Sequence, residues 1–402
     1  MVTISTGPKR VVLASTLGLA FGYSSIGVIS FGVFVLPLSK EFGWGRGDMS
    51  LALTLMSVVI VILSPLAGSL LDRFGVRRVL IPSVFFFGLT FAGLSLMTGS
   101  LWHYYGMYLM IALAGVCTTP ASYTRLIVAW FDKRRGLALG IVLAGIGLGT
   151  AIIPPFIEMM TTLFGWRQAF LGISGLVILI SLPAVWAWIS EPIQETADGV
   201  VRVEDGFSFR ESLGTRQFAL IAFSFLLLGI MSGGVLAHLV PLLTDRGVSS
   251  SVAASVASLL GVTLIVARLI IGYLLDRFFA PAVVAIFLAC PVVGLLILMN
   301  GGTGSAAILA VVLVGLGIGA EMDFMSYLLS RYFGLRAFGK LYGLIYASVT
   351  IGLSIGPIVM GYSQQLGGSY EFGLKVLLVS SAVAIVPLLC LGRYPDLPRV
   401  EV

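Results

Sequence analysis

The sequence predicts an all-α membrane protein of twelve transmembrane helices, arranged as two pseudo-symmetric bundles of six. Three observations predict it. Of 402 residues, 58% are hydrophobic and only 10% charged, whereas soluble domains carry about a quarter charged residues. Apolar runs of about twenty residues recur along nearly the whole chain, each matching the ~30 Å of hydrocarbon that a spanning helix must cross. Landmarks of the first half also return in the second at a nearly fixed offset.

A membrane β-barrel would show short segments of period two. Here the segments are long and contain Gly and Pro, which lipid-embedded helices tolerate. In chain order the spans are expected at 11–38, 49–71, 79–99, 102–130, 136–157 and 168–190, then at 216–243, 252–275, 279–300, 305–332, 341–363 and 373–392. The first run is too long for the core of a cleavable signal peptide and is expected to stay as a span. The second closes on Asp72 and Arg73, with Arg77 and Arg78 in the turn behind it, and Lys133, Arg134 and Arg135 separate the fourth from the fifth. After the sixth comes the longest polar stretch, carrying Glu191, Glu195, Asp198, Glu204, Asp205 and Glu211. It divides the chain into a first bundle (1–190), a cytoplasmic linker (191–215) and a second bundle (216–402). In the second bundle Arg277 closes the eighth span, Arg331 ends the tenth, and Arg336 and Lys340 precede the eleventh.

The net charge of +6 does not mark a nucleic-acid partner, because the basic residues lie in turns between spans rather than on one soluble face. Their placement reports topology. With the N-terminus inside, seventeen Lys and Arg fall on the cytoplasmic side and five, Lys40, Arg46, Arg167, Arg246 and Lys375, on the other, so both termini are expected in the cytoplasm. Arg125 and Arg268 are left inside spans.

Gly68, Asp72, Arg73 and Phe74 recur 204 positions later as Gly272, Asp276, Arg277 and Phe278. Gly136, Gly140, Ala144, Gly149 and Pro154 recur 203 positions later as Gly339, Gly343, Ala347, Gly352 and Pro357. Order, spacing and membrane side agree, which points to duplication. Such repeats suit alternating access, two similar bundles rocking about a site near the midplane, and small residues let the fifth and eleventh spans pack closely.

The segment Gly68-Ser-Leu-Leu-Asp72-Arg73-Phe-Gly75-Val-Arg77-Arg78, with its weaker copy at Gly272 to Phe278, resembles the signature loop of the major facilitator superfamily, and the resemblance covers all twelve spans. Asp72 is placed to meet the positive N-terminal end of the eleventh span, and Asp276 that of the fifth. With Arg73 and Arg277 they are candidate gating residues, the alternative being ordinary topogenic charges. Three further segments, Trp130 to Gly140, Arg268-Leu-Ile-Ile-Gly272 and Gly319-Ala-Glu321-Met-Asp323 leading to Arg331-Tyr-Phe-Gly334, look like the bacterial monocarboxylate-transporter-like branch, which is similar to the oxalate and formate antiporters. The resemblance implies a bacterial inner-membrane carrier in which an eighth-span arginine, four residues before a glycine, binds the substrate carboxylate. Arg268 occupies that position. Two features of the family are missing: the first-span lysine of the animal members aligns with Val33, and the aspartate one turn before the arginine aligns with Leu264.

Charge inside the membrane costs at least ~2.5 kcal/mol per residue and marks function by default. Arg268 stands nine residues before Arg277, Arg125 eight before Lys133, and Asp323 and Glu321 eight and ten before Arg331. A rise of about 1.5 Å per residue then places all four about 12 to 15 Å from the cytoplasmic side, in one layer. They can simply neutralise one another. The functional reading is that Arg268 and Arg125 bind substrate while Glu321 or Asp323 takes up a proton as substrate competes for the arginine. Two positions apart on a helix, the carboxylates cannot both face one partner. His238, before Pro241, is a candidate outer proton relay or a hydrogen-bonded structural histidine. His103 reads as interfacial. Tyr23 and Tyr123 are candidate cavity-lining residues, because the first helix of each three-helix unit faces the pathway in this superfamily. Cys117, Cys290 and Cys390 lack metal-ligand or CxxC spacing and read as buried small hydrophobes.

The expected function is proton symport of a small organic monocarboxylate by alternating access, in a carrier that needs no cofactor and works as a monomer. An anion exchanger or an exporter of drugs or lipophilic anions is the alternative. An intramembrane enzyme is disfavoured, since no span carries a metal cluster or a nucleophile and base at usable spacing.

Overall fold

The computed structural model describes residues 7–192, 205–396 and 398. In the first half, α1 (Pro8–Ala20) and α2 (Val28–Phe42) make one bent span around a π-helical turn at Tyr23–Gly27. There follow α3 (Arg46–Phe74), α4 (Val76–Ser95), the pair α5 (Leu101–Gly115) and α6 (Pro120–Trp130), α7 (Arg135–Phe164), and the pair α8 (Trp166–Leu176) and α9 (Leu182–Trp188). A short helix, α10 (Phe209–Leu213), precedes the second six: α11 (Arg216–Asp245), α12 (Ser250–Leu275), α13 (Ala280–Met299), α14 (Gly304–Tyr332), α15 (Phe338–Gly367) and α16 (Glu371–Leu389). Twelve spans result among the described residues. Of these, ten stretches are long and apolar enough to cross by themselves, the bent first pair adds one, and α12 has the shorter apolar stretch Leu259–Leu275. Large apolar side chains such as Ile62, Leu179, Ile286 and Leu366 cover the outside, as a lipid-facing surface requires.

Several helices outrun the apolar windows that predict them, α3, α7 and α15 among them. An apolar window marks only hydrocarbon, whereas a helix runs on through the interface until something stops it. Glycines in positive-φ conformations do so at Gly43 (69°), Gly75 (80°), Gly165 (88°) and Gly368 (66°). The fourth span is broken for another reason. Pro120 pushes its predecessor out of helix, so Thr119 is extended (φ −72°, ψ 168°) and α6 restarts with proline in its first turn.

The halves pack crosswise, α3 against α15 and α7 against α12. The repeated glycines make this possible. A Cβ on Gly68 would strike the backbone of Gly339, one on Gly343 that of Ser64, one on Gly136 that of Gly272, and one on Gly140 the carbonyl of Arg268. All these crossings lie toward the end that carries the turns after α3, α6, α12 and α14, here called the basic end. At this end the linker closes on the second half: Gly206 and Gly334 form an antiparallel bridge, Phe207 N donates to Phe333 O (3.0 Å), Leu335 N to Asp205 O (2.9 Å) and Gly206 N to Pro398 O (3.1 Å). A side chain at either glycine would collide with the facing strand. α10 begins with a reciprocal cap, Ser208 N donating to Glu211 Oε2 (2.6 Å) and Glu211 N to Ser208 Oγ (3.4 Å). Of the acidic residues named and the cytoplasmic cations counted in the sequence, Glu195, Asp198, Arg202, Glu204 and Arg399 lie outside the described residues.

Candidate functional site

Two clusters contain the charged candidate residues. The deeper one is built by α11, α12 and α14. α14 carries Gly315 and Gly319 one turn apart, and a Cβ on either would meet Thr263 or the Leu264 backbone of α12. This close seam sets the register. Four residues beyond Leu264 comes Arg268, and four beyond Gly319 comes Asp323, so the two face each other. Arg268 NH1 stands 3.6 Å from Asp323 Oδ2. That is ion-pair distance without a hydrogen bond, and NH1 and both Asp323 oxygens are buried with no hydrogen-bond partner. Asp323 is fully buried, and Arg268 is 8% exposed.

Glu321 reaches a different helix. Its carboxylate accepts a hydrogen bond from the Ser232 hydroxyl of α11, and it is 3% exposed. The side of the cluster formed by α15 carries Tyr342, whose hydroxyl reaches Met322 Sδ (3.8 Å), and Tyr346 stacked on it at 6.3 Å. The eighth span has Leu264 where the resemblance places a carboxylate, and the carboxylate that stands beside Arg268 comes from α14, Asp323.

The second cluster ties the halves together at the basic end. Asp72 accepts from Gly339 N (2.9 Å) and Lys340 N (3.0 Å), the first turn of α15. Asp276 accepts from Gly136 N (2.7 Å) and Leu137 N (3.0 Å), the first turn of α7. Each places a carboxylate on unsatisfied helix N–H groups, where the helix dipole favours negative charge. Arg135 NH1 adds a third tie to Ser330 Oγ (3.2 Å). Arg73 lies over the ring of Phe74 and Arg277 over that of Tyr273. Arg77 donates to Ile189 O and Trp186 O (2.8 Å each), closing the end of α9, while Glu191 accepts from Val76 N at the start of α4.

The shared layer of four charges needs correction. Arg125 belongs to this basic-end cluster: its Nε is 3.2 Å from Asp72 and its NH1 3.9 Å from Glu191. The count to Lys133 overestimates its depth because α6 stops at Trp130 and the chain to Arg134 is not helical. Tyr123 is also not at a cavity surface. It is fully buried, its ring filling the space left by Gly18 of α1. Tyr23 lies in the π-turn, its amide bonded to Thr118 Oγ1 (3.0 Å) and its ring against Gly27 and Gly115. His238 uses both nitrogens, Nε2 with Pro357 O (3.1 Å) and Nδ1 with the Tyr370 hydroxyl (3.3 Å), so it joins α11, α15 and the start of α16. A carbonyl can only accept, so Nε2 carries a proton and donates it to Pro357 O. His103 Nδ1 is 3.4 Å from Thr98 Oγ1. Cys117 is buried, but Cys390 closes α16 in an exposed position. Ser232, Tyr342 and the Arg135–Ser330 tie escape sequence reasoning; a single serine among the glycines of α11 carries no periodic signal.

Two repeated six-helix groups of the same orientation, crosswise glycine seams and a charged cluster deep inside define a class, the helical secondary transporters. The chain belongs to the Major Facilitator Superfamily, whose family model matches residues 12–357. Human monocarboxylate transporter 11 is 26% identical over 396 residues, 95% of this chain and 81% of that protein. The MFS-type transporter YhjX of Escherichia coli (strain K12) is 27% identical over 354 residues, 86% of this chain and 85% of that one. Among solved structures, the human organic anion transporter MFSD10 superposes with a TM-score of 0.74 at 15% identity, covering 95% of this chain and 99% of that one. The E. coli fucose:proton symporter gives 0.73 at 14%, covering 96% and 98%. At such identities the structures share a fold and no more.

Proposed function

We propose that the protein carries a small organic monocarboxylate together with a proton across the bacterial inner membrane, as a monomer, by alternating access. One observation carries the reading. Arg268 is a buried guanidinium whose NH1 has a carboxylate at 3.6 Å but no hydrogen bond, and its backbone lies in the seam between the halves, against Gly140. A planar fork with an unsatisfied donor is built to take a second carboxylate bidentately. The relatives named as monocarboxylate transporters support that substrate class.

In this reading the substrate carboxylate competes with Asp323 for Arg268, and a proton taken up by Glu321 or Asp323 offsets the added negative charge. The ties of Asp72 and Asp276 hold the basic end, assigned to the cytoplasm by the positive-inside count, shut while the site loads from outside. Breaking them lets the halves, 1–190 and 216–402, rock about the site, with 191–215 joining them. Arg125, screened by Asp72, serves the gate.

The test is uptake of labelled lactate, pyruvate, short-chain and aromatic carboxylates by purified protein in liposomes, with and without an inward proton gradient. Uptake accelerated by the gradient is the expected result. Uptake that needs an internal counter-anion means exchange, and transport of uncharged dyes indifferent to Arg268 means an exporter; either would refute the symport reading.

A further inference from the structure

The two buried carboxyls of α14 are two residues apart yet have different surroundings, and counting charge separates their tasks. Arg268 is the one cation that pairs within the deep cluster among the described residues, and it faces Asp323. Of the neighbouring helices, α11 brings Ser232 to Glu321, with His238 remote and engaged by Pro357 and Tyr370. α13 brings no ionisable side chain but Cys290, which bonds to its own helix. α15 brings Tyr342 and Tyr346. From α6, Arg125 is paired with Asp72, and from α7, Arg135 is taken by Phe131 O and Ser330. One positive charge cannot balance two carboxylates, and an ionised carboxylate buried without a cation costs several kcal/mol.

We propose that Glu321 keeps its proton throughout the cycle and acts with Ser232 as a neutral tie between α11 and α14, while Asp323 alone takes the coupled proton when a substrate carboxylate displaces it from Arg268. This rests on the carboxylate reading of Arg268 given above. The charges close in both states. Empty, Arg268 and the Asp323 carboxylate cancel and Glu321 is a neutral acid. Loaded, Arg268 and the substrate carboxylate cancel, Asp323 holds one proton from the outer solution, and Glu321 is unchanged. On the other side substrate and that proton leave together, and Asp323 returns to the arginine. One proton therefore moves with each monocarboxylate and no net charge crosses. The serine hydroxyl donates to one Glu321 oxygen, and the acid proton stays on the other. Glu321 is a positioning residue in this scheme: it fixes α14, and with it the face that carries Asp323, against the pore-side helix α11.

Infrared spectroscopy of the protein in liposomes tests the protonation directly, without a substrate. The wild type should show a carboxylic-acid carbonyl band that shifts in D2O and does not change across the pH range of activity. Glu321→Gln should lose that band and Asp323→Asn should keep it. A wild type whose band titrates away in that range, or a band that survives in Glu321→Gln, overturns the assignment. Uptake of labelled lactate and pyruvate adds the coupling test. Glu321→Gln, which keeps the shape and neutrality of the acid, should retain stimulation by a proton gradient, and Asp323→Asn should lose it. The opposite pattern reverses the roles. Wild-type uptake should also be unmoved by a potassium–valinomycin potential; uptake driven by that potential would refute the charge count. If no carboxylate is taken up by the wild type, the substrate reading fails, whereas the infrared bands still decide the state of Glu321.

Discussion

Asp72→Asn should open the basic end. In the structure the Asp72 carboxylate accepts two backbone N–H bonds, at 2.9 and 3.0 Å, from the first turn of α15. Asparagine keeps one carbonyl oxygen and so loses one of them, a bond to a charged acceptor of ~1.5–3 kcal/mol. It also loses the favourable charge at the helix terminus, ~0.3–1 kcal/mol. Relief of the buried carboxylate's desolvation offsets part of this, leaving a net shift of about 2 kcal/mol against the closed end. That is roughly 30-fold in the equilibrium, so an open state present at about 1% would rise to about a quarter of the molecules. Spin labels at Arg78 and Arg336 report it. Both positions line the basic-end cavity, one from each half, and with Cys117, Cys290 and Cys390 replaced by alanine the labels are specific. Double electron–electron resonance should show a second, longer distance in Asp72→Asn, and again in Asp276→Asn, whose carboxylate accepts the equivalent pair of amide bonds at 2.7 and 3.0 Å. A distance distribution unchanged in both variants and in the double variant would refute the latch.

Other outcomes follow from the same geometry. Arg268→Lys should abolish gradient-driven carboxylate uptake with little change in melting temperature, since an ammonium keeps the charge but not the planar fork; full uptake by that variant rejects the assignment. Gly319→Val should force α14 off the Leu264 backbone, lowering stability by ~1–3 kcal/mol and uptake with it, which thermal unfolding and the liposome assay would read together. Tyr370→Phe should cost about 1 kcal/mol, one hydrogen bond to His238, seen as a lower melting temperature with uptake retained. At the other end of the molecule, the hydrogen bond from the Trp166 indole holds the Glu41 carboxyl below its ordinary 4.5, outweighing the opposing effect of burial, with a smaller contribution from Arg167. A lowered value means that the contact contributes above the ordinary carboxylate range and is lost as pH falls through the lowered one. The tryptophan emission of wild type and Glu41→Gln should therefore differ near neutrality and converge in acid; a difference that persists in acid would contradict the contact.

The spans, the two halves and the meeting of Asp72 with the start of α15 are legible in the sequence because each leaves a long or repeated signal: hydrocarbon-length runs, a 204-residue offset, a loop motif at a helix end. Depth is harder to read. Arg125 looks level with Arg268 only while α6 is assumed to reach Lys133, and the unwinding at Phe131 moves it to the basic-end cluster with Asp72. Partnerships across helices are harder still. Leu264 shows that the eighth span lacks a carboxylate one turn before Arg268, but only the Gly315–Gly319 seam reveals that α14 brings one to Arg268. Tyr123 carries a family expectation, yet the missing side chain of Gly18 takes its ring into the packing.

The strand-like clasp of Asp205–Phe207 on Phe333–Leu335 and Pro398 means that the connector is owned by the second half from Asp205 onward. A gene cut between the codons for residues 193 and 204 would therefore encode two fragments, the later one bringing its own cap of linker, loop and tail. Every tie between the halves described above is non-covalent and formed by residues outside the cut. Co-expressed, the fragments carry every one of these ties between the halves, and a reporter split across them would turn assembly of the carrier into a signal.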